Sequence, residues 1–103
     1  MTDDERNRAM GCVLGAFVGD AAGATLEFVG QSNINEKTVA KAMRLEGGGS
    51  LQVGPGQITD DSEMAMCLLA AAHEDPKHLN LNNIAKYFGK WYNSHPFDIG
   101  YTT

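Results

Sequence analysis

Thr59, Asp60, Asp61 and Ser62 set four oxygen-bearing side chains in a row. Gly54-Pro55-Gly56 just before them cannot lie inside a helix or a central strand. Met64, Ala65, Met66, Leu68, Leu69, Ala70, Ala71 and Ala72 after them are good helix formers. The polar run therefore stands where a loop becomes a helix, and two chemistries fit it. One is capping: a Thr or Asp oxygen accepts from an orphan backbone N–H, and acids there suit the positive end of the helix. Thr59 with Ser62, or Asp60 with Glu63, has the spacing of a cap and its N3 partner. The other is metal binding. Two adjacent carboxylates and a hydroxyl are hard donors suited to Mg²⁺ or Mn²⁺ rather than zinc. A cation would relieve the repulsion between the carboxylates, and one cap needs only one side chain. Three oxygens leave an octahedral shell open, so water, substrate or a distant part of the chain must supply the rest.

Three further acids interrupt apolar or turn-like surroundings. Asp20 breaks an apolar helix end, Glu27 lies between Leu26 and Phe28, and Asp98 sits between Pro96 and Gly100. Each has an ordinary reading: an exposed acid for Asp20 and Glu27, a turn former for Asp98.

The elements that must position these residues read as about four helices with no sheet. Apolar residues recur at helical spacing and scarcely ever alternate. The first helix starts on Thr2 or Asp3 and runs to about Ala22, with Met10, Val13, Leu14, Phe17, Val18 and Ala21 as its stripe. Gly11, Gly15, Gly19 and Gly23 form a second ridge, costing about 1 kcal/mol each against Ala. Close approach of a neighbouring helix is the ordinary reason for such a ridge. A second helix is expected from Ser32 or Asn33 to about Leu45, ended by Gly47-Gly48-Gly49, which reads as a flexible connector. A third starts at Thr59 or Asp60 and runs to about His73. A fourth is capped by Asn80 or Asn82, with Tyr87, Phe88, Trp91 and Tyr92 as core aromatics.

Composition narrows the classes. The 103 residues carry 13 acids against 8 Lys and Arg, a net charge of −5. That lacks the basic footprint of a nucleic-acid binder. Asp20 and the shortness of the apolar run exclude a membrane span in the first helix. Cys12 and Cys67 read as buried reduced thiols, with no zinc spacing. The acidic start Met1-Thr2-Asp3-Asp4-Glu5 is unlike a secretory n-region, so a cytoplasmic location is expected.

The run from Gly54 to Ala65 resembles the first metal motif of the ADP-ribosylglycohydrolase family, which includes the dinitrogen-reductase-reactivating glycohydrolases. Gly11 to Ala24, with Leu26-Glu27-Phe28, is similar to that family's first helix and the glutamate loop after it. Pro96 to Thr103 resembles a third family segment. The resemblance implies an all-α fold of which residues 1–103 are the N-terminal part, a partial and apparently truncated helical domain. It implies hydrolysis of the glycosidic bond between ADP-ribose and a protein side chain or small group, with two Mg²⁺ or Mn²⁺ ions. By the same resemblance Thr59, Asp60 and Asp61 are metal ligands, and Asp20 supports them from behind. Glu27 is catalytic, Asp98 is catalytic and substrate-contacting, and Gly100 binds substrate. The family's C-terminal Asp-x-Asp-Thr/Ser element and its Gly-Asn-Gly-type loop do not occur here. The site is therefore expected to be incomplete in this chain. Self-association or a missing C-terminal half would complete the fold. The alternative is a catalytically inactive helical interaction module.

Overall fold

The structure is a computed structural model and describes residues 1–100. It has four α-helices: α1 (Asp3–Ala24), α2 (Glu36–Met43), α3 (Asp60–Glu74) and α4 (Leu81–Asn93). No strand occurs among the described residues beyond one isolated bridge, Gly48 to Val53. The fold is all-α, as the spacing predicts. No helix among the described residues is long and apolar enough to cross a membrane. The chain divides into two compact units, Met1–Ile58 and Thr59 onwards.

In the first unit α1 begins where Thr2 Oγ1 accepts from Glu5 N at 3.1 Å, with Asp3, Asp4 and Glu5 in the first turn. These acids suit the positive end of the helix, and Arg8 pairs with Asp4 one turn on at 2.9 Å. The helix runs two residues past the expected end. Thr25 stops it, with Oγ1 donating to Ala22 O at 2.9 Å. A turn Gln31–Asn33 of 3₁₀ type follows, and α2 begins later than expected, at Glu36. Its start is a reciprocal cap: Asn35 Oδ1 accepts from Thr38 N at 3.0 Å, and Thr38 Oγ1 accepts from Asn35 N at 2.9 Å. Asn35, not Ser32 or Asn33, is the residue that caps the helix.

Gly47-Gly48-Gly49 is a tightly built turn, not a flexible connector. Gly48 and Val53 exchange both backbone hydrogen bonds, at 2.7 and 3.2 Å. Gly49 has φ +75°, and a Cβ there would lie 2.3 Å from Thr25 O. Only glycine lets this loop press against the end of α1. The buried apolar residues of the unit are Ala21, Ala24, Ala42 and Val53. The glycine ridge is different. Nothing lies within 4 Å of a Cβ built at Gly11, Gly15, Gly19 or Gly23, so the expected close helix approach is not made among the described residues. Met10, Leu14 and Val18 are exposed, and so is Cys12, contrary to expectation. Cys12 shares the outward side of α1 with its neighbours; its apolar context gives a preference but no partner.

In the second unit α3 and α4 pack as an antiparallel pair joined through Asp75 to Asn80. Asn80 Oδ1 caps α4 by accepting from Asn83 N at 3.1 Å. Near the loop Lys86 Nζ holds both oxygens of Glu74 at 2.7 Å. Further along, Cys67 Sγ donates to Tyr87 O at 3.5 Å. Cys67 is only half-buried; desolvation, and then the charge of Glu63, pushes its thiol up. Ala71 and Trp91 form the core of the pair, whereas Tyr92, expected inside, is exposed.

Candidate functional site

The turn preceding α3 is held by its own residues. Gln57 Oε1 accepts from Gly54 N at 2.8 Å, Gln57 N donates to Gly54 O at 3.2 Å, and Gly56 takes φ +68°. A lone Gln in a Gly-Pro-Gly loop could have signalled this clamp.

Thr59 is the residue at the N-cap of α3 and is completely buried, at 0 % exposure. Its carbonyl accepts from Glu63 N at 3.0 Å, but its side chain makes no capping hydrogen bond. Capping by the Thr59 hydroxyl, one of the two chemistries the spacing allows, is therefore not what this residue does. Burial of a hydroxyl costs free energy unless it is satisfied, so its retention at full burial implies a specific polar role. Asp60 is half-buried, Asp61 is exposed, and Ser62 is buried. The negative charge of both acids lies at the positive end of α3, which lowers the cost of holding two carboxylates side by side.

Forty residues on, the chain returns to this turn. Gly100 N donates to Asp60 Oδ2 at 2.9 Å. The bond draws the loop after α4, with half-buried Asp98 two residues earlier, to the start of α3. Thr59, Asp60, Asp61, Asp98 and Gly100 thus belong to one compact unit. No local sequence signal reveals this bond, because the partner is a backbone N–H with no side chain to read. A carboxylate has about four acceptor positions, so one N–H leaves Asp60 able to ligate an ion.

Asp20 and Glu27 lie in the first unit. Asp20 is half-buried in the last turns of α1. Glu27 is exposed in the turn that follows, where its N–H and that of Leu26 both donate to Gly23 O, at 3.0 and 2.9 Å. The next residue, Phe28, takes a left-handed φ of +62°. Glu27 is thus carried on a sharply bent and exposed turn, anchored at its backbone to the end of a helix.

No group of three or more His, Cys, Asp or Glu side chains converges as a metal cage among the described residues. The donors at the start of α3 are two carboxylates and a hydroxyl, all hard oxygens. That set fits part of a Mg²⁺ or Mn²⁺ shell by chemistry.

The family model for ADP-ribosylglycohydrolase matches residues 1–103. The chain belongs to the ADP-ribosylglycohydrolase family. It is 41 % identical over 99 residues to the ADP-ribosyl-[dinitrogen reductase] glycohydrolase of Rhodospirillum rubrum, covering 93 % of this chain and 32 % of that protein. A protein of Acanthamoeba polyphaga mimivirus named for ADP-ribosyl glycohydrolase activity is 39 % identical over 99 residues, covering 93 % of this chain and 30 % of its own length. The ADP-ribosylarginine hydrolase Tri1 of Serratia proteamaculans is 33 % identical over 104 residues, 94 % of this chain and 26 % of its own. The chain thus spans about a third of the length of these relatives or less.

Proposed function

We propose that this chain contributes one side of the active site of a metal-dependent glycohydrolase. The reaction is hydrolysis of the bond joining ADP-ribose to a protein side chain or small leaving group. The observation that carries the reading is the tie from Gly100 to Asp60, which sets the Asp98 loop beside two carboxylates and a buried hydroxyl at one helix start. Family membership supplies the substrate class: relatives are named for ADP-ribosylarginine and for ADP-ribosylated dinitrogen reductase.

Thr59, Asp60 and Asp61 would hold Mg²⁺ or Mn²⁺. When bound, the ions supply charge that orients ribose hydroxyls and acidifies the attacking water. Glu27 positions that water and takes its proton as the oxygen bonds to the anomeric carbon. The glycosidic bond breaks, and its electron pair leaves with the departing group, which is then protonated. Asp98 contacts the substrate ribose or delivers that proton. Gly100 offers the substrate a backbone surface free of side chain. Asp20 would take the supporting role that the family resemblance gives it. Family membership is what joins Asp20 and Glu27 to this reaction. Three protein oxygens leave about half of an octahedral shell to other donors, so metal affinity in this chain alone is weak and turnover is little or none.

Calorimetric titration with Mn²⁺ tests the reading. Weak binding is expected, lost in Asp60→Ala and in Asp61→Ala. Equal binding by both variants would put any ion elsewhere. ADP-ribose release adds a second check: brisk turnover by the unmutated chain, absent from the double variant, would show that these residues suffice alone.

A further inference from the structure

Among the described residues, two buried polar atoms of the second unit have no hydrogen-bond partner: Glu63 Oε1, an acceptor, and Trp91 Nε1, a donor. Trp91 is 9 % exposed. Burying either atom unsatisfied costs free energy, so a complementary pair calls for a common explanation. The register of α3 and α4 provides it. Cys67 meets Tyr87 across the seam. Glu63 stands one turn before Cys67 on α3, and Trp91 stands one turn after Tyr87 on α4. In an antiparallel pair those two steps run in the same direction, so Glu63 and Trp91 reach the seam at one level. A donor and an acceptor that face one seam without a direct bond are commonly joined by water.

We propose that Trp91 and Glu63 bind a single buried water between α3 and α4, the indole N–H donating to it and the water donating to Glu63 Oε1. Glu63 is the third residue after Asp60 and lies on the same side of α3. The water therefore braces against α4 the turn that carries Asp60 and Asp61. The bridge stands without the metal reading; only its consequence for those two acids rests on that reading, and Glu63 acts there as a positioning residue.

Trp91 is the only tryptophan, so one indole N–H resonance reports the site in the ¹⁵N-labelled chain. A cross-peak from that N–H to a long-lived water is expected, with slow exchange against deuterium. Glu63→Gln keeps an acceptor and keeps the cross-peak. Glu63→Leu abolishes it and lowers the folding constant by about tenfold, the cost of an orphaned buried donor. The double variant Glu63→Leu/Trp91→Phe loses less stability than the sum of the two single substitutions. An unmutated chain with no water cross-peak, or an indole resonance unmoved in folded Glu63→Leu, overturns the proposal. Should Glu63→Leu fail to fold, the unmutated chain and Glu63→Gln still decide it. Neither measurement involves metal or substrate, so failure here leaves the glycohydrolase reading to its own test.

Discussion

Helix α1 and the α3–α4 pair are built from similar material and meet opposite fates. Both carry apolar stripes, acidic first turns and a cysteine. In the pair, facing residues find one another: Glu74 holds Lys86, Cys67 reaches Tyr87, and Ala71 and Trp91 are buried. In α1 full burial is reached at Ala21 and Ala24 and half-burial at Val13 and Phe17, while Met10, Leu14 and Val18 remain exposed and the glycine ridge meets nothing among the described residues. The difference lies in partner, not propensity. A stripe gives a helix a face to bury, but burial needs a second element at the right distance along the chain. α4 follows α3 after six residues and supplies it. The first half of α1 has no such neighbour within its own unit.

The sharpest way to probe this contrast is to add the same methyl group to two glycines. At Gly49 the new Cβ would sit 2.3 Å from Thr25 O, on a backbone of φ +75°. Gly49→Ala should therefore destabilise the first unit by about 3 kcal/mol or more, combining strain and steric clash. Urea unfolding would show it as a lowered midpoint. At Gly15 the methyl meets open space, and Gly15→Ala should stabilise the chain by about 1 kcal/mol through helix propensity. The opposite signs are the test. A destabilising Gly15→Ala would mean that the ridge is occupied in solution and that α1 resembles the pair after all.

These two glycines also mark what could be read from sequence. The four helices were legible because 3.6-residue spacing and capping residues are local properties, and Thr2 and Asn80 cap where expected. The triple glycine was misread because its job depends on Thr25, more than twenty residues away. Cys12 was misplaced for the same reason: apolar context does not tell which side of a helix is covered. At the candidate site Thr59, Asp60 and Asp61 were legible as a junction cluster. The tie from Gly100 was not, since a backbone donor leaves no mark in side-chain patterning.

A moderate effect is expected on association. Met10, Leu14 and Val18 are exposed at four-residue spacing along one face of the helix, and exposed apolar surface promotes assembly. Light scattering of the chain at high concentration should show species larger than one copy. Leu14→Glu should shift the distribution toward monomer, whereas Leu68→Glu, an exposed position in the second unit, should shift it less. Strictly monomeric behaviour at every concentration would remove the contrast between covered and uncovered helices as a cause of assembly.

The smallest effect concerns the exposed end of the α3–α4 pair. Lys86 bonds the Glu74 carboxylate and, with the nearby Tyr87 hydroxyl as the lesser cause, holds its pKa below the ordinary carboxylate range. The sign follows from proton binding: a folded state that binds fewer protons than the unfolded one loses stability on acidification. The contribution is therefore complete above the unfolded pKa of Glu74 and fades as pH falls through the lower folded value. Lys86 is held above its ordinary range chiefly by the same bond, so it shares this contribution while Glu74 is ionised and loses it again in strong alkali. Both side chains are solvent-exposed, so salt screens the pair and its share is slight. Glu74→Gln should flatten the acid limb of stability as pH falls below the unfolded pKa of Glu74, and moderate salt should have much the same effect on the unmutated chain. An acid limb identical in Glu74→Gln and the parent would show that the pair adds nothing. The seam would then owe its stability to packing around Ala71 and Trp91 rather than to this surface pair.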